Sequence, residues 1–247
     1  MKDHRFDYIL PLIKKVGNIP KLDDADLLEN FKQIDSLMFK IKNNRQINNP
    51  MLIVKNDLIL DEIKNIILKD PAVLRVQNKM GQNLGMLASN YKVEPIIELS
   101  LEDAVAYKQQ DCKHGNFIAM YVANNKLEDL VISILDNPKI AVQQNFQGEI
   151  LGMCCAYNHL EKATLKALDN VEASRRVSKI GYNTGAYAIV TQLKEPSLKA
   201  LKDPVAGKHR IPTGQLVDEL AIREFGADAE KVISKRESKL KATDKAF

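Results

Sequence analysis

The chain has 247 residues, of which 45% are hydrophobic and 28% are charged, and its formal net charge is +4. Three cysteines are too few for a disulfide framework, which excludes that class of small secreted protein and predicts a reducing compartment. No segment approaches the roughly 18 apolar residues of a membrane-spanning helix. The sequence therefore predicts a cytoplasmic protein with enough apolar residues for a continuous core.

Residues 1–47 are predicted to form a helical N-terminal cap that covers the first repeat. Asp23 or Asp24 can cap a helix that runs to about Asn43, and a loop is expected from Asn43 to Asn49. The apolar residues that share one face of this helix are Leu27, Leu28, Phe31, Ile34, Leu37, Met38 and Ile41. The alternative interpretation of this segment is a separate binding or dimerising element.

Residues 48–240 are predicted to form a repeat domain, because five glycines recur in them at near-constant spacing. These are Gly81, Gly115, Gly148, Gly181 and Gly214, with steps of 34, 33, 33 and 33 residues. A period of this size is typical of stacked helical repeats. A leucine also follows each of the first four glycines by 20 residues, as Leu101 follows Gly81, and Leu68 marks a partial repeat before them.

Each repeat is predicted to contain two short helices and then an extended stretch that leads to the next glycine. In the second repeat the first helix covers 118–124 and the second begins at Leu127-Glu128, where a glutamate suits the positive end of the helix dipole. Asn137-Pro138 ends the second helix, because the residue before proline avoids helical geometry. Small residues inside the first helices, such as Gly85, predict close packing of neighbouring helices.

This order of motifs resembles the ankyrin repeat family. The first full repeat carries it in Asn78-Lys79-Met80-Gly81, Leu87-Ala88-Ser89, Val93-Glu94 and Leu101. The resemblance implies an all-α fold, an α-solenoid of about five helix-turn-helix repeats with helical caps at both ends. It also implies protein binding through loop tips and the first-helix face, without catalytic residues. A different helix-pair repeat with a period of 33 residues is the alternative.

The C-terminal end is predicted to be a charged capping helix over 229–241, with Val232 and Ile233 as its main apolar contacts. Residues 241–247 are predicted to form a flexible tail. Basic residues are concentrated in this helix and between Ser174 and Arg210. They indicate either an ordinary solvated face or a surface for an acidic protein, nucleic acid or anionic lipid. Nucleic acid is disfavoured, because no aromatic platform accompanies the basic residues.

Nine residues of the loop tips are the predicted partner-binding site. They are Lys79, Met80, Lys113, His114, Phe146, Gln147, Lys179, Ile180 and Tyr182. Met80, Phe146, Ile180 and Tyr182 are apolar or aromatic at positions expected to be exposed, and exposed aromatic residues often anchor protein partners. The alternative is that these side chains pack onto neighbouring loops.

Catalytic, cofactor and metal sites are not predicted. Cys155 and His159 could form a thiolate nucleophile, but Cys155 occupies a core position of the repeat and His159 an exposed turn. A metal site that combined these two residues with Cys112 and His114 is excluded, because the pairs lie at distant points of successive repeats.

The function expected from the sequence is a non-catalytic scaffold or adaptor that binds another protein, for example as a subunit of a bacterial multiprotein assembly. An acidic surface is one option for the partner. Two alternatives stay open: a bacterial effector that binds a host protein in the host cytosol, and an enzyme whose site is built from repeat loops. The partner's identity, the face that binds and the oligomeric state are not determined by the sequence.

Overall fold

The computed structural model describes residues 25–46 and 50–244. In these ranges the secondary structure consists of fifteen α-helices and two short 3-10 helices, with one isolated β-bridge between Arg210 and Leu216. The all-α prediction is therefore confirmed. None of the helices in these ranges is long and apolar enough to cross a bilayer. The chain divides into two compact units, residues 1–125 and 126–247.

The first unit is built on a long antiparallel helix pair followed by shorter helices. Its elements are α1 (Ala25–Gln46), α2 (Pro50–Lys69), a 3-10 helix (Pro71–Arg75), α3 (Leu84–Tyr91), α4 (Glu94–Glu102), a second 3-10 helix (Ala106–Lys108) and α5 (Ile118–Asn124). Helix α1 packs against α2 and α3. Six of its seven predicted apolar residues are buried, and Leu28 stays 37% exposed. The predicted capping residues Asp23 and Asp24 lie outside the described residues.

Helix α2 differs from the partial repeat that Leu68 predicts. It is one uninterrupted helix of 20 residues, where two short helices joined by a turn were expected. The segment contains no glycine, and its single proline, Pro50, stands in the first turn, where proline is tolerated. Nothing in the local sequence therefore breaks the helix. The loop predicted from Asn43 is also helical as far as Gln46, and 47–49 lie outside the described residues.

The second unit is a succession of short helices that ends in one long helix. Its elements are α6 (Glu128–Ile134), α7 (Pro138–Ala141), α8 (Leu151–Tyr157), α9 (Glu161–Ala167), α10 (Val171–Arg175), α11 (Thr184–Val190), α12 (Lys194–Ala200), α13 (Pro204–Gly207), α14 (Val217–Phe225) and α15 (Ala227–Asp244). Helix α8 packs on α9 and α11, α11 on α12 and α14, and α14 on α15. Side chains of α11, α12, α14 and α15 and of the segments between them form a core around the fully buried Ile189, Leu201 and Val217.

The C-terminal helix is longer than predicted. It continues through Asp244, whereas a flexible tail was expected from residue 241. Lysine and alanine, which dominate 239–242, are good helix formers, so no stop signal ends the helix there. Residues 245–247 lie outside the described part of the chain.

The repeat glycines share one backbone conformation. Their φ angles are all positive, between 70° at Gly115 and 83° at Gly181 and Gly214, a region that favours glycine because it lacks a Cβ atom. The turns between first and second helices are also left-handed, but non-glycine residues occupy them. These are Lys92, Lys126, His159 and Gln192, with φ between 58° and 60°.

The stretch predicted to be extended after each second helix contains a short helix instead. Asn137 accepts a hydrogen bond from the Lys139 amide at 3.1 Å, and Asp203 accepts one from the Val205 amide at 2.9 Å. Asparagine and aspartate are good N-caps, and a proline in the first helical turn needs no amide partner there. The Asp/Asn-Pro signal therefore ends one helix and starts the next one.

Glycines inside three of the first helices allow close contact between helices. A Cβ atom on Gly185 would lie 2.7 Å from the Cβ of Ala200, and one on Gly85 would lie 2.6 Å from that of Ser100. Each of these contacts joins a first helix to the second helix of the same repeat, α11 to α12 and α3 to α4. The predicted contact with the next first helix is also present, because Gly85 faces the Ile118 side chain.

Two Arg–Asp ion pairs recur at the same spacing of 28 residues but differ in burial. The Arg75 Nε lies 2.9 Å from the Asp103 carboxylate, and the two side chains are 3% and 0% exposed. In the second unit, Arg175 and Asp203 form the equivalent pair at 2.8 Å, with side chains that are 43% and 19% exposed. Asp103 also accepts hydrogen bonds from the amides of Val105 and Ala106.

Candidate functional site

The tip loops, defined as the turns around the repeat glycines, are held in place by a side chain at the start of each turn. In the second unit, the Asn145 Oδ1 atom accepts hydrogen bonds from the amides of Gln147 at 3.0 Å and Glu149 at 2.9 Å. In the first unit, Asp111 accepts from the amides of Lys113 and His114. Such local side-chain bonds are what make Asn and Asp favourable in turns.

Successive tip loops are also joined through their backbones. The Lys179 amide donates to the Gln147 carbonyl at 2.7 Å in the second unit. The Cys112 amide donates to the Met80 carbonyl at 2.9 Å in the first unit. Within each unit the structure therefore brings the predicted binding residues of two neighbouring tips side by side.

The tips of the second unit expose two large apolar side chains. Phe146 is 47% exposed and Ile180 is 54% exposed, on the two tips that the Lys179 amide links. Lys179 is exposed beside them, and Gln147 is half-buried. In the first unit, Met80 is 57% exposed, and Lys79, Lys113 and His114 are exposed as well.

Tyr182 does not belong to this exposed surface. The sequence predicts an exposed aromatic ring, but the side chain is half-buried and packs against the core of the second unit. Its ring centroid lies 5.5 Å from that of Tyr187, which donates a hydrogen bond from its hydroxyl to Glu149. Tyr182 directly follows the turn glycine Gly181, at the point where the chain returns to the core. Its side chain therefore packs between the tip loop and the core.

Further large apolar residues of the second unit are exposed, and two of them end helices that pack on each other. Tyr157 is 67% exposed and Val190 is 56% exposed. They are the last residues of α8 and α11, which pack on each other and stand 33 residues apart in sequence. The equivalent positions of the preceding repeats hold Asn90 and Asn124. The change from asparagine to an apolar residue is the sequence signal that could have located these exposed residues, because the core does not require an apolar side chain at this position.

The cysteines of the second unit are poorly suited to nucleophilic chemistry. Burial raises the pKa of Cys155 well above its ordinary value, and Cys154 and Glu128 act in the same direction. Burial, with the Glu149 carboxylate nearby, raises the pKa of Cys154 to about 12. A thiolate, which is the reactive form, is therefore disfavoured at both residues. The described residues contain no group of three or more His, Cys, Asp or Glu side chains placed to hold a metal ion.

Thiol labelling tests this assignment. In the folded protein at pH 8 we expect one fast-reacting cysteine, the exposed Cys112, and very slow reaction of Cys154 and Cys155. Denaturation should release all three thiols. The measurement is the colour yield with a disulfide reagent, with the modified residue identified by peptide mass spectrometry. Rapid modification of Cys155 in the folded protein would contradict the burial described here.

The comparisons with known proteins rest on structure. No protein-family profile matches the sequence, and no curated protein matches it. The fold is similar to that of a chain in the solved structure of a predatory endopeptidase from Bdellovibrio bacteriovorus in complex with an immunity protein. The TM-score is 0.55 and the sequences are 18% identical, over 71% of this chain and 92% of that chain. At this identity the similarity concerns the fold.

This comparison corrects the prediction of a non-catalytic scaffold or adaptor. The solved complex pairs an endopeptidase with an immunity protein, and neither of those names describes a scaffold that assembles other components. That prediction is therefore wrong, and the resemblance to ankyrin repeats stays a prediction.

Proposed function

We propose that the chain binds one partner protein in a stable complex and regulates that partner's activity, in the manner of an inhibitory binding protein. We further propose that its recurring unit is an ankyrin-like repeat. The name of the similar solved complex supports the first proposal, because both of its components act within a complex of two proteins. The recurring left-handed glycines and short helix pairs support the second.

The observation that carries the proposal is the set of exposed apolar side chains on the second unit. Phe146 and Ile180 are exposed on tips whose backbones are hydrogen-bonded to each other. Tyr157 and Val190 are exposed at the ends of two helices that pack together. Burying a large apolar side chain contributes about 1.5–3 kcal/mol, so a partner that covered these residues would gain substantial affinity.

A tip-surface variant tests the proposal. The tagged protein is used to capture its partner from a lysate of its native cell, and the affinity of the purified pair is then measured by calorimetry. We expect Phe146→Ala with Ile180→Ala to weaken binding by about 30-fold or more, because each truncation of an anchor residue costs over ~1 kcal/mol. The free energy of unfolding should change by less than about 0.5 kcal/mol, as for other exposed positions.

The matched control is Val171→Ala, which removes apolar atoms from an equally exposed residue of the same unit, 54% exposed, outside the tips. It should leave the affinity unchanged. Equal affinities for the tip variant and the control would contradict the proposed surface.

The second candidate function is peptidase activity, which the name of the solved complex favours. Against it, the best thiol candidate, Cys155, is fully buried and its thiol pKa is raised. Incubation of the purified chain with labelled casein separates the two candidates. We expect no release of soluble label from the casein. Cleavage that a class-specific peptidase inhibitor abolishes would favour peptidase activity and count against the proposed binding function.

A further inference from the structure

The tip loop that carries Phe146 also carries an acidic side chain, that of Glu149. The loop turns from Asn145 to Gly148, and the Gly148 amide closes the turn by donating to the Asn145 carbonyl at 3.0 Å. The ends of such a four-residue turn lie within about 7 Å of each other. Glu149 directly follows the turn and is half-buried. Phe146 and Glu149 therefore belong to one short loop of the proposed binding surface.

The Glu149 carboxylate accepts hydrogen bonds from two neutral groups. Its Oε1 atom accepts from the Tyr187 hydroxyl at 2.8 Å, and its Oε2 atom accepts from the Asn145 side-chain amide at 2.9 Å. Within 25–46 and 50–244, no Lys, Arg or His side chain forms an ion pair with this carboxylate. An ionised carboxylate has about four acceptor positions. About two of them are therefore left for water or for a ligand.

Asp111, the acidic residue of a tip loop in the first unit, shows the contrast. Its carboxylate accepts four hydrogen bonds, from the amides of Lys113, His114 and Asn116 and from the Tyr121 hydroxyl. It is also buried, with only 3% of the residue exposed. The acceptor positions of Asp111 are thus used inside the protein, whereas those of Glu149 are only partly used.

The charge of Glu149 is not needed to join neighbouring repeats. In the first unit, Gln82 occupies the same place directly after the repeat glycine, and its side-chain amide donates to the Tyr121 hydroxyl at 3.0 Å. Tyr121 and Tyr187 are each the sixth residue after a repeat glycine, so the two links are equivalent. A neutral glutamine can therefore make this link, and the link alone does not explain the negative charge of Glu149.

The charge of Glu149 lies in poorly hydrated surroundings. Burial raises the pKa of the Tyr187 hydroxyl, and the hydrogen bond to Glu149 raises this pKa further. Tyr187 therefore stays protonated at neutral pH and keeps donating to the carboxylate. A charge that water screens weakly attracts an opposite charge more strongly than a fully exposed one does. This position therefore favours a cationic ligand.

The ligand that fits these features is a single organic cation. A metal ion needs several protein ligands, and the described residues contain no group of three or more His, Cys, Asp or Glu side chains placed to hold one. The guanidinium of arginine is planar, can donate two parallel hydrogen bonds to a carboxylate, and stacks on aromatic rings. Phe146 supplies an exposed aromatic ring in the same loop. Arginine is also enriched at protein interfaces, whereas lysine is depleted there.

We propose that Glu149 binds an arginine side chain of the partner protein, with the guanidinium on the carboxylate and the side-chain stem against Phe146. The proposal rests on the proposed function, in which the partner is a protein, and gives the apolar tip surface a charged contact. The exposed apolar side chains contribute affinity. The Arg–Glu pair adds selectivity, because a partner without a cation at this position would leave Glu149 desolvated and without an opposite charge.

The probe is the peptide acetyl-Leu-Arg-Leu-amide, which is titrated into the isotope-labelled full-length protein and followed by NMR. We expect saturable chemical-shift changes at the backbone amides of 146–149 and at the Asn145 side-chain amide, which is bonded to Glu149. Glu149→Gln should weaken binding by about tenfold or more, because it removes the charge and keeps the shape. A peptide with citrulline, the neutral analogue of arginine, should lose affinity to a similar extent.

Glu161→Gln is the matched control for this variant. It changes the net charge equally at an exposed position of the same unit and should leave binding unchanged. Glu149→Gln should also keep the urea midpoint of the unmodified protein, because a glutamine makes the equivalent link at Gln82. The citrulline peptide tests the role of charge without any substitution in the protein.

The proposal is overturned if the arginine peptide produces no shifts at this tip, or if a peptide with citrulline or lysine in place of arginine binds equally well. Equal binding by Glu149→Gln and Glu161→Gln would also overturn it. If the peptide does not bind although Phe146→Ala with Ile180→Ala loses the captured partner, only the Glu149 site fails. Binding of the peptide without capture of any partner would support the site and count against the proposed function.

Discussion

Replacement of Asp103 by alanine is expected to lower the free energy of unfolding by about 3–5 kcal/mol, because it removes the carboxylate that contacts the buried Arg75 guanidinium. Both side chains are nearly inaccessible, at 3% and 0% exposed. The substitution also removes the acceptor for the amides of Val105 and Ala106. The measurement is urea-induced unfolding of the two proteins followed by circular dichroism.

The chain provides a matched control for this variant in the second unit. Asp203 pairs with Arg175 at the same sequence spacing and caps α13, but this pair is more exposed, at 43% for Arg175 and 19% for Asp203. Asp203→Ala should therefore cost only about 1 kcal/mol, mainly from the lost helix cap. If Asp103→Ala and Asp203→Ala lower the free energy of unfolding equally, burial does not determine how much the Arg75–Asp103 pair contributes to stability.

Removing both partners of the buried pair separates the cost of burying Arg75 without Asp103 from the value of the pair. Arg75→Met combined with Asp103→Leu should recover a large part of the stability lost in Asp103→Ala, since well-packed apolar residues often replace a buried ion pair at little cost. A double variant as unstable as the single one would place the loss in the hydrogen bonds that Asp103 accepts from the Val105 and Ala106 amides.

Replacement of Gly85 by alanine is expected to destabilise the first unit by about 1–3 kcal/mol through overpacking. The added Cβ atom would lie 2.6 Å from both the Ser100 Cβ and the Ile118 Cδ1 atoms, so α3 would have to move away from two neighbours at once. Alanine is the better helix former by about 1 kcal/mol, which makes a net loss a strong indication of tight packing. Unfolding in urea measures the difference.

Gly214→Ala is the control for this substitution. A Cβ atom on Gly214 meets no other atom within 4 Å, so only its positive φ of 83° opposes alanine. That conformation costs an L-residue about 1–2 kcal/mol. A combination of unchanged stability in Gly85→Ala and loss in Gly214→Ala would mean that α3 has room to shift and that the close contact is not a packing constraint.

Local signals in the sequence predicted the local structure well. The glycine period located the left-handed turns, and the first helix predicted over 118–124 has the bounds of α5. Both depend on residues close in sequence, because glycine alone adopts these turns without strain. The short helices after Asn137 and Asp203 were missed, although their signal was also local: the same Asp/Asn-Pro pair that stops one helix caps another.

Features that depend on distant residues were not predicted. Burial of Tyr182 follows from its packing against the core of the second unit, and the sequence around Gly181 carries no sign of that contact. The difference in burial between the two Arg–Asp pairs depends on what covers each site. The concentration of basic residues was visible in the sequence, but the proximity of Lys202 to α15 was not, because the two meet only after the intervening helices have packed.

The hydrogen bonds between neighbouring tip loops have a consequence for association. A loop that is loose in the free protein loses backbone entropy when a partner immobilises it, and that loss subtracts from the affinity. Here the Lys179 amide is already bonded to Gln147, and Asn145 holds its own turn, before any partner arrives. The backbone entropy of these tip loops is therefore already lost when the chain folds. Complex formation at the tips then resembles the docking of two rigid surfaces, in which mainly side chains rearrange.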